Sequence, residues 1–253
     1  MTYRYRSGEP MLYATCKQQQ GYGKPIGVLV LEERIPCPPG TPGNPTTFPF
    51  PVIYERVDGV SAAQLRDAAN PGGLAAFMRA SQVLVGKGVR AILGGCGLMV
   101  VHQRELARAL PVPVLTSSLL QLPLIAATLG PDAQIGVIAS SRASLSAEHL
   151  RIGGAPEGRT VVGGMDGQPS FTATVMHESG VLDFERVRDE VVEVGRDLVA
   201  RHPRLAALLL ECVDLPPYAA ALQEAVELPV FDITTLAAWA AAGVRRTAFA
   251  GHY

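Results

Sequence analysis

The chain is polar and irregular up to about Lys24, and an unbroken apolar run, Ile26-Gly27-Val28-Leu29-Val30-Leu31, follows. Such a run predicts a strand buried on both faces. Between Pro36 and Pro51 there are seven prolines, with Gly40 and Gly43 among them. Proline lacks the N–H that helices and central strands need, so this segment predicts a long loop. Beyond it, apolar runs and helical periodicity alternate. Strands are expected at residues 52–57, 90–93, 112–115, 134–139, 159–162, 206–210 and 229–231. Helices are expected within 74–85, at about 99–109, from Ser117, at 184–201, at 217–226 and at 234–242. Strands that alternate with helices in this way form parallel sheets covered on both faces. The expected fold class is therefore α/β.

The chain also repeats itself. The segment AILGGCGLMVVHQRELARALPVPVLTSSLL, from Ala91, aligns with ALLLECVDLPPYAAALQEAVELPVFDITTLA, from Ala207. At a shift of 116 residues Cys96 falls on Cys212, Pro113 on Pro229, Val114 on Val230 and Leu120 on Leu236. Each unit reads strand, cysteine, helix, Pro-Val strand, helix. A thiol placed just after a strand and before a helix lies at the carboxyl edge of a parallel sheet, where open α/β sheets bind ligands. Two such halves about a pseudo-twofold axis would put both thiols in one cleft. A helix start beside each thiol is expected to lower its pKa. Cys16 and Cys37 have no such setting and read as ordinary buried cysteines.

Composition narrows the function. The 22 basic and 23 acidic residues leave a net charge of -1, with no excess to hold nucleic acid. No stretch approaches the roughly 18 apolar residues of a membrane helix, and the N-terminus lacks a signal-peptide core, so a cytoplasmic protein with no membrane partner is expected. The four cysteines form no C-x-x-C, which removes local zinc or thioredoxin-like motifs. His102 and Glu105, three apart, and the isolated His149 and His177 read as solvated helix faces, not metal ligands. The charged residues of 184–201, Glu190 among them, likewise read as a surface face.

At CGLMVVHQRELARALPVPVLTSSLLQLP, ECVDLPPYAAALQ and the loop PPGTPGNPTTFPFPV, the sequence resembles the aspartate/glutamate racemase superfamily, in a two-cysteine branch. The resemblance covers residues 26–242. It implies two pseudo-symmetric α/β domains with the site between them: residues 25–117 plus 233–253, and 118–232, after an N-terminal arm of 1–24. It implies Cys96 and Cys212 as acid and base, no cofactor, no metal, and a small carboxylate as the molecular partner, with self-association into a homo-oligomer left open. The implied activity is that of an isomerase, a cofactor-independent racemase of a small carboxylate or amino-acid-like compound. The alternatives are a maleate-isomerase-like or arylmalonate-decarboxylase-like enzyme, or a non-catalytic small-molecule binder. Asn44, Gly97, Ser117, Ser118, Ser140, Ser141, Val213 and Asp214 are the expected substrate-binding residues. The serine clusters follow strands and precede helices, where hydroxyls and free N–H groups would meet a carboxylate.

Overall fold

A computed structural model describes residues 24–69 and 71–247. Most of the N-terminal arm, Cys16 and the last six residues lie outside the described residues. In the first half, β1 (Ile26–Val30), β2 (Val52–Arg56), β3 (Ala91–Gly94) and β4 (Val114–Leu115) form one parallel sheet of order β2-β1-β3-β4. The second half repeats it with β5 (Gln134–Ala139), β6 (Thr160–Gly164), β7 (Leu205–Leu210) and β8 (Val230–Phe231), in the order β6-β5-β7-β8. The two orders are the same once β1 is matched to β5. The internal repeat is thus a structural one: a shift of 116 carries β4 onto β8.

The helices, in chain order, are α1 (Ala62–Leu65), α2 (Leu74–Gly86), α3 (Gln103–Ala109), α4 (Leu122–Thr128), α5 (Ala147–Ile152), α6 (Pro169–Phe171), α7 (Phe184–Arg201), α8 (Ala219–Val226) and α9 (Ile233–Val244). The same shift brings the first residue of α3 onto the first of α8. The expected long helix after Cys96 is in fact a 3-10 turn, Gly97–His102, followed by α3, and 3-10 turns also precede α4 and α8. In α7, Asp183 caps the first turn by accepting from Arg186 N. Val187, Val191, Val194 and Leu198 recur at helical spacing and are buried against the second sheet.

Three of the expected surface residues are buried instead. His102 and His149 are 2% and 0% exposed, and their Nε2 atoms reach Gly72 O at 2.8 Å and Leu65 O at 2.9 Å. Glu190 on α7 accepts from Ser170 N and Phe171 N, both at 2.8 Å. In each case a backbone group that the helical pattern does not reveal needs a partner, and the side chain is drawn inward to supply it.

One apolar cluster runs across both halves, from Leu29 and Ile92 of the first sheet to Ile135, Val137 and Leu209 of the second. The final helix, α9, returns to the first sheet, packing Ile233, Leu236, Ala237 and Ala240 with Ile26, Val28 and Leu93. Polar ties anchor the segment after β4 at this joint: Ser118 Oγ donates to Leu210 O at 2.8 Å, and Gln121 Nε2 to Asp232 O at 2.8 Å. The proline-rich loop also crosses. Gly40, at φ 109°, rests on Pro217, where an added Cβ would lie 2.7 Å from the proline Cα. No helix among the described residues is long and apolar enough to cross a membrane.

Candidate active site

A cavity of about 260 Å³ opens between the halves, lined from the carboxyl ends of the four inner strands. Glu33 and Ile35 follow β1, Cys96, Gly97 and Leu98 follow β3, and Ser140 follows β5. Glu211, Cys212, Val213 and Asp214 follow β7. Ser61, Arg66 and the segment Val175, Met176 and Glu178 complete its wall. A chain that leaves neighbouring parallel strands in opposite directions opens a crevice at their carboxyl ends. Here two such crevices face one another.

The cavity brings Cys96 and Cys212 together, and both are free thiols. Cys212 Sγ lies 3.6 Å from Asp214 Oδ2 and donates to it. Neither thiol has the lowered pKa expected beside a helix start. Burial pushes Cys96 well up, with Glu33 and Glu211 adding to it, and only the Leu98 N–H works appreciably the other way. Burial does the same at Cys212, with Asp214 and Glu211 adding to it. Short 3-10 turns offer little dipole, and neighbouring carboxylates oppose a thiolate. Cys37, expected to be buried, is exposed; the prolines around it hold its loop on the surface, where Cys37 O accepts from Asn44 Nδ2 at 2.8 Å.

The carboxyl groups are displaced in the same direction. Burial pushes Glu211 up to about 8, helped by Asp214. Burial pushes Asp214 up to about 6, against the Cys212 hydrogen bond. Glu33, open to water on its outer side but enclosed on its inner one, rises to about 7 through burial, Asp214 and Glu178. Glu33, Glu178 and Glu211 were absent from the sequence reading, although Glu211 is the acid that ends the apolar run LAALLL and directly precedes Cys212. A charged residue closing a buried strand is the signal that could have found it.

Of the expected binding residues, Gly97, Ser140, Val213 and Asp214 line the cavity, and Asn44, Ser117, Ser118 and Ser141 do not. Asn44 spends its side chain on its own loop, accepting from Thr46 N at 2.9 Å as it donates to Cys37 O. Ser117 caps the turn before α4 by accepting from Leu119 N, and Ser118 holds the Leu210 carbonyl, two residues before Cys212. Ser141 donates to Asp166 Oδ1 at 2.6 Å. Among the described residues, no group of three His, Cys, Asp or Glu side chains is placed to hold a metal ion.

Solved structures share this arrangement. Glutamate racemase from Bacillus anthracis superposes with a TM-score of 0.55 at 13% identity, over 87% of this chain and 82% of that one. Aspartate racemase from Picrophilus torridus gives 0.54 at 16%, over 88% and 94%. A mutant of arylmalonate decarboxylase in its sulfate-associated form gives 0.59 at 14%, over 87% and 92%. The two repeated sheets have the fold of these racemases and of the decarboxylase. No protein-family model matches the chain. The chain belongs to the dimethylsulfoniopropionate lyase family. It is 30% identical to dimethylsulfoniopropionate lyase of Durusdinium sp. clade D, over 82% of this chain and 70% of that protein. It is 31% identical to dimethylsulfoniopropionate lyases 3 and 5 of Emiliania huxleyi, over 83% of this chain. The chain spans 57% and 44% of the length of those two relatives.

These relatives correct the expected activity. They are named as lyases, not racemases or isomerases, which overturns the expected isomerase that inverts a stereocentre of a small carboxylate or amino-acid-like compound. The physical reason is that the shared sheets fix where two thiols stand and not which bond breaks between them.

Proposed function

We propose that this chain is a lyase acting on a small carboxylate that carries a cationic leaving group on its β-carbon, and that its substrate is dimethylsulfoniopropionate, the compound in the names of its relatives. The observation that carries this reading is the Cys212–Asp214 contact, inside a cavity rich in acids. In the proposed step Cys212, its own proton having left to solvent by way of Asp214, takes a proton from the carbon beside the substrate carboxylate. The C–H electron pair becomes the new C=C bond. The C–S pair leaves with sulfur, as neutral dimethyl sulfide, and acrylate remains. Charge balances without an external oxidant or reductant.

Elimination of this kind needs one base, whereas inversion needs an acid and a base on opposite faces. The unequal surroundings of the two thiols suit the former: Asp214 is bonded to Cys212, and Cys96 has Gly97 and Leu98 beside it. The raised pKa values suit a cationic substrate as well. Without ligand the thiols are held protonated, and a sulfonium entering among the acids favours ionisation, so the base forms when the substrate is present. Arg66, the one cationic side chain among the described residues of the lining, is assigned to the substrate carboxylate. Cys96 lines the same cavity as the base. With this reading goes the expectation of a cytoplasmic protein.

The test is proton NMR of dimethylsulfoniopropionate incubated with the purified chain. Vinyl protons of acrylate and the methyl signal of dimethyl sulfide should grow in equal amounts. A substrate spectrum that does not change faster than in buffer alone would sink the reading.

A further inference from the structure

Charge in the cavity is one-sided: Glu33, Glu178, Glu211 and Asp214 line it with Arg66 as their only described counter-charge. Gathering like charges in a partly enclosed space is unfavourable, and a protein that retains them holds them for something. Glu178 has a partner, accepting from Arg34 N at 3.0 Å. Glu211 does not share that explanation. It is 2% exposed, and its Oε1 has no hydrogen-bond partner. Glu190 shows what a buried acid does when its task is structural, since both its oxygens accept from backbone N–H groups. An orphaned oxygen on a cavity wall points to a ligand.

The rest of the wall defines that ligand. Ile35, Leu98, Val175, Met176 and Val213 stand around the acids and offer apolar surface, not acceptors. We infer that Glu33, Glu211 and Asp214 form a receptor for a methylated onium cation, a positive charge that bears no N–H or O–H. This rests on the lyase reading and deepens it by assigning the residues that select the charged end of the substrate. A primary ammonium brings three donors that each require an acceptor, and apolar walls leave some of them unmet. An onium group spreads its charge over methyl groups, which pack against apolar side chains and make C–H···O contacts with carboxylates.

The groups that face the bound cation are Glu33, Glu178, Glu211, Asp214, Cys96, Cys212 and Arg66, with Tyr218 and Cys37 close enough to feel Asp214. A cation among them favours their ionised forms, so binding releases protons and tightens as pH rises through the range of the three carboxyl groups, about 6 to about 8.

Calorimetric titration of the full chain tests this with three probes. They are 3-(trimethylammonio)propanoate, its isostere 4,4-dimethylpentanoate, in which an uncharged carbon replaces the nitrogen, and 3-aminopropanoate. The onium compound should bind about tenfold or more tighter than the isostere, and tighter than the amine. Its affinity should rise between pH 6 and pH 8, with protons released in buffers of differing ionisation enthalpy. Glu33→Gln, Glu211→Gln and Asp214→Asn should each weaken it about three- to tenfold and not weaken binding of the isostere, an anion that loses a repelling charge. Equal affinity for onium and isostere, or preference for the amine, overturns the receptor, and this wild-type comparison stands even if a variant fails to fold. Dimethyl sulfide release is read separately. Onium preference without release keeps the receptor and removes the lyase reading; release without onium preference does the reverse.

Discussion

Gly97 and Glu211 are made for each other. A Cβ on Gly97 would overlap Glu211 Oε1 and the Glu211 backbone oxygen, so the glycine lets the turn after Cys96 approach the strand end that carries Cys212. Gly97→Ala should cost about 2 kcal/mol or more and reduce activity further than stability explains; denaturant melts and initial rates on the same preparation separate the two. The acid itself has the opposite effect. Because the folded pKa of Glu211, about 8, lies above its ordinary value of 4.5, its contribution to stability is complete below the ordinary value and is lost as pH rises through the folded one. Glu211→Gln should therefore stabilise the ligand-free protein at pH 9, by about 1–3 kcal/mol, and not at pH 4. A melting temperature that responds equally at both pH values would contradict this. At this scale the cysteines were legible because the repeat marks them twice. Glu33 and Glu211 were not, since an acid at a strand end acquires meaning only from what the other half sets beside it.

Helix α7 was readable at both ends, because Asp183 caps it and its apolar period is regular. What α7 does for the site was hidden by the same pattern, which places Glu190 among charged neighbours. Its two bonds to Ser170 N and Phe171 N hold the start of α6, and the π-helical turn Thr172–Met176 continues from α6 into the cavity wall at Val175 and Met176. Glu190→Ala leaves two N–H groups without partners, at a cost of about 2–4 kcal/mol. It should also raise the KM for the onium substrate more than it lowers kcat, measured by steady-state dimethyl sulfide release; unchanged KM in a folded variant would detach this segment from the site. The 3-10 turns after the cysteines were read as plain helix, because their residues carry helical periodicity and the tighter winding is imposed by closely approaching backbone, as at Gly97.

Across the whole molecule, duplication made the fold legible: one strand order used twice, a shift of 116 residues, and a thiol at the same edge of each sheet. The reaction was not legible from it, because the leaving group that decides between inversion and elimination belongs to the ligand. The halves are tied by His149 on Leu65 O and by Glu178 on Arg34 N. Of these only Glu178 stands on the cavity wall. The central claim is that this closed pair of sheets presents Cys212 as the base for elimination. It is tested most directly by dimethyl sulfide release from Cys212→Ser beside the wild type, with binding of 3-(trimethylammonio)propanoate confirming that the variant is folded. A hydroxyl is a far weaker acid than a thiol and yields almost no anion at neutral pH, so release should fall by about a thousandfold or more while binding persists. Release within about threefold of wild type, far short of the 10²–10⁴ that a positioned base contributes, would show that the proton goes elsewhere.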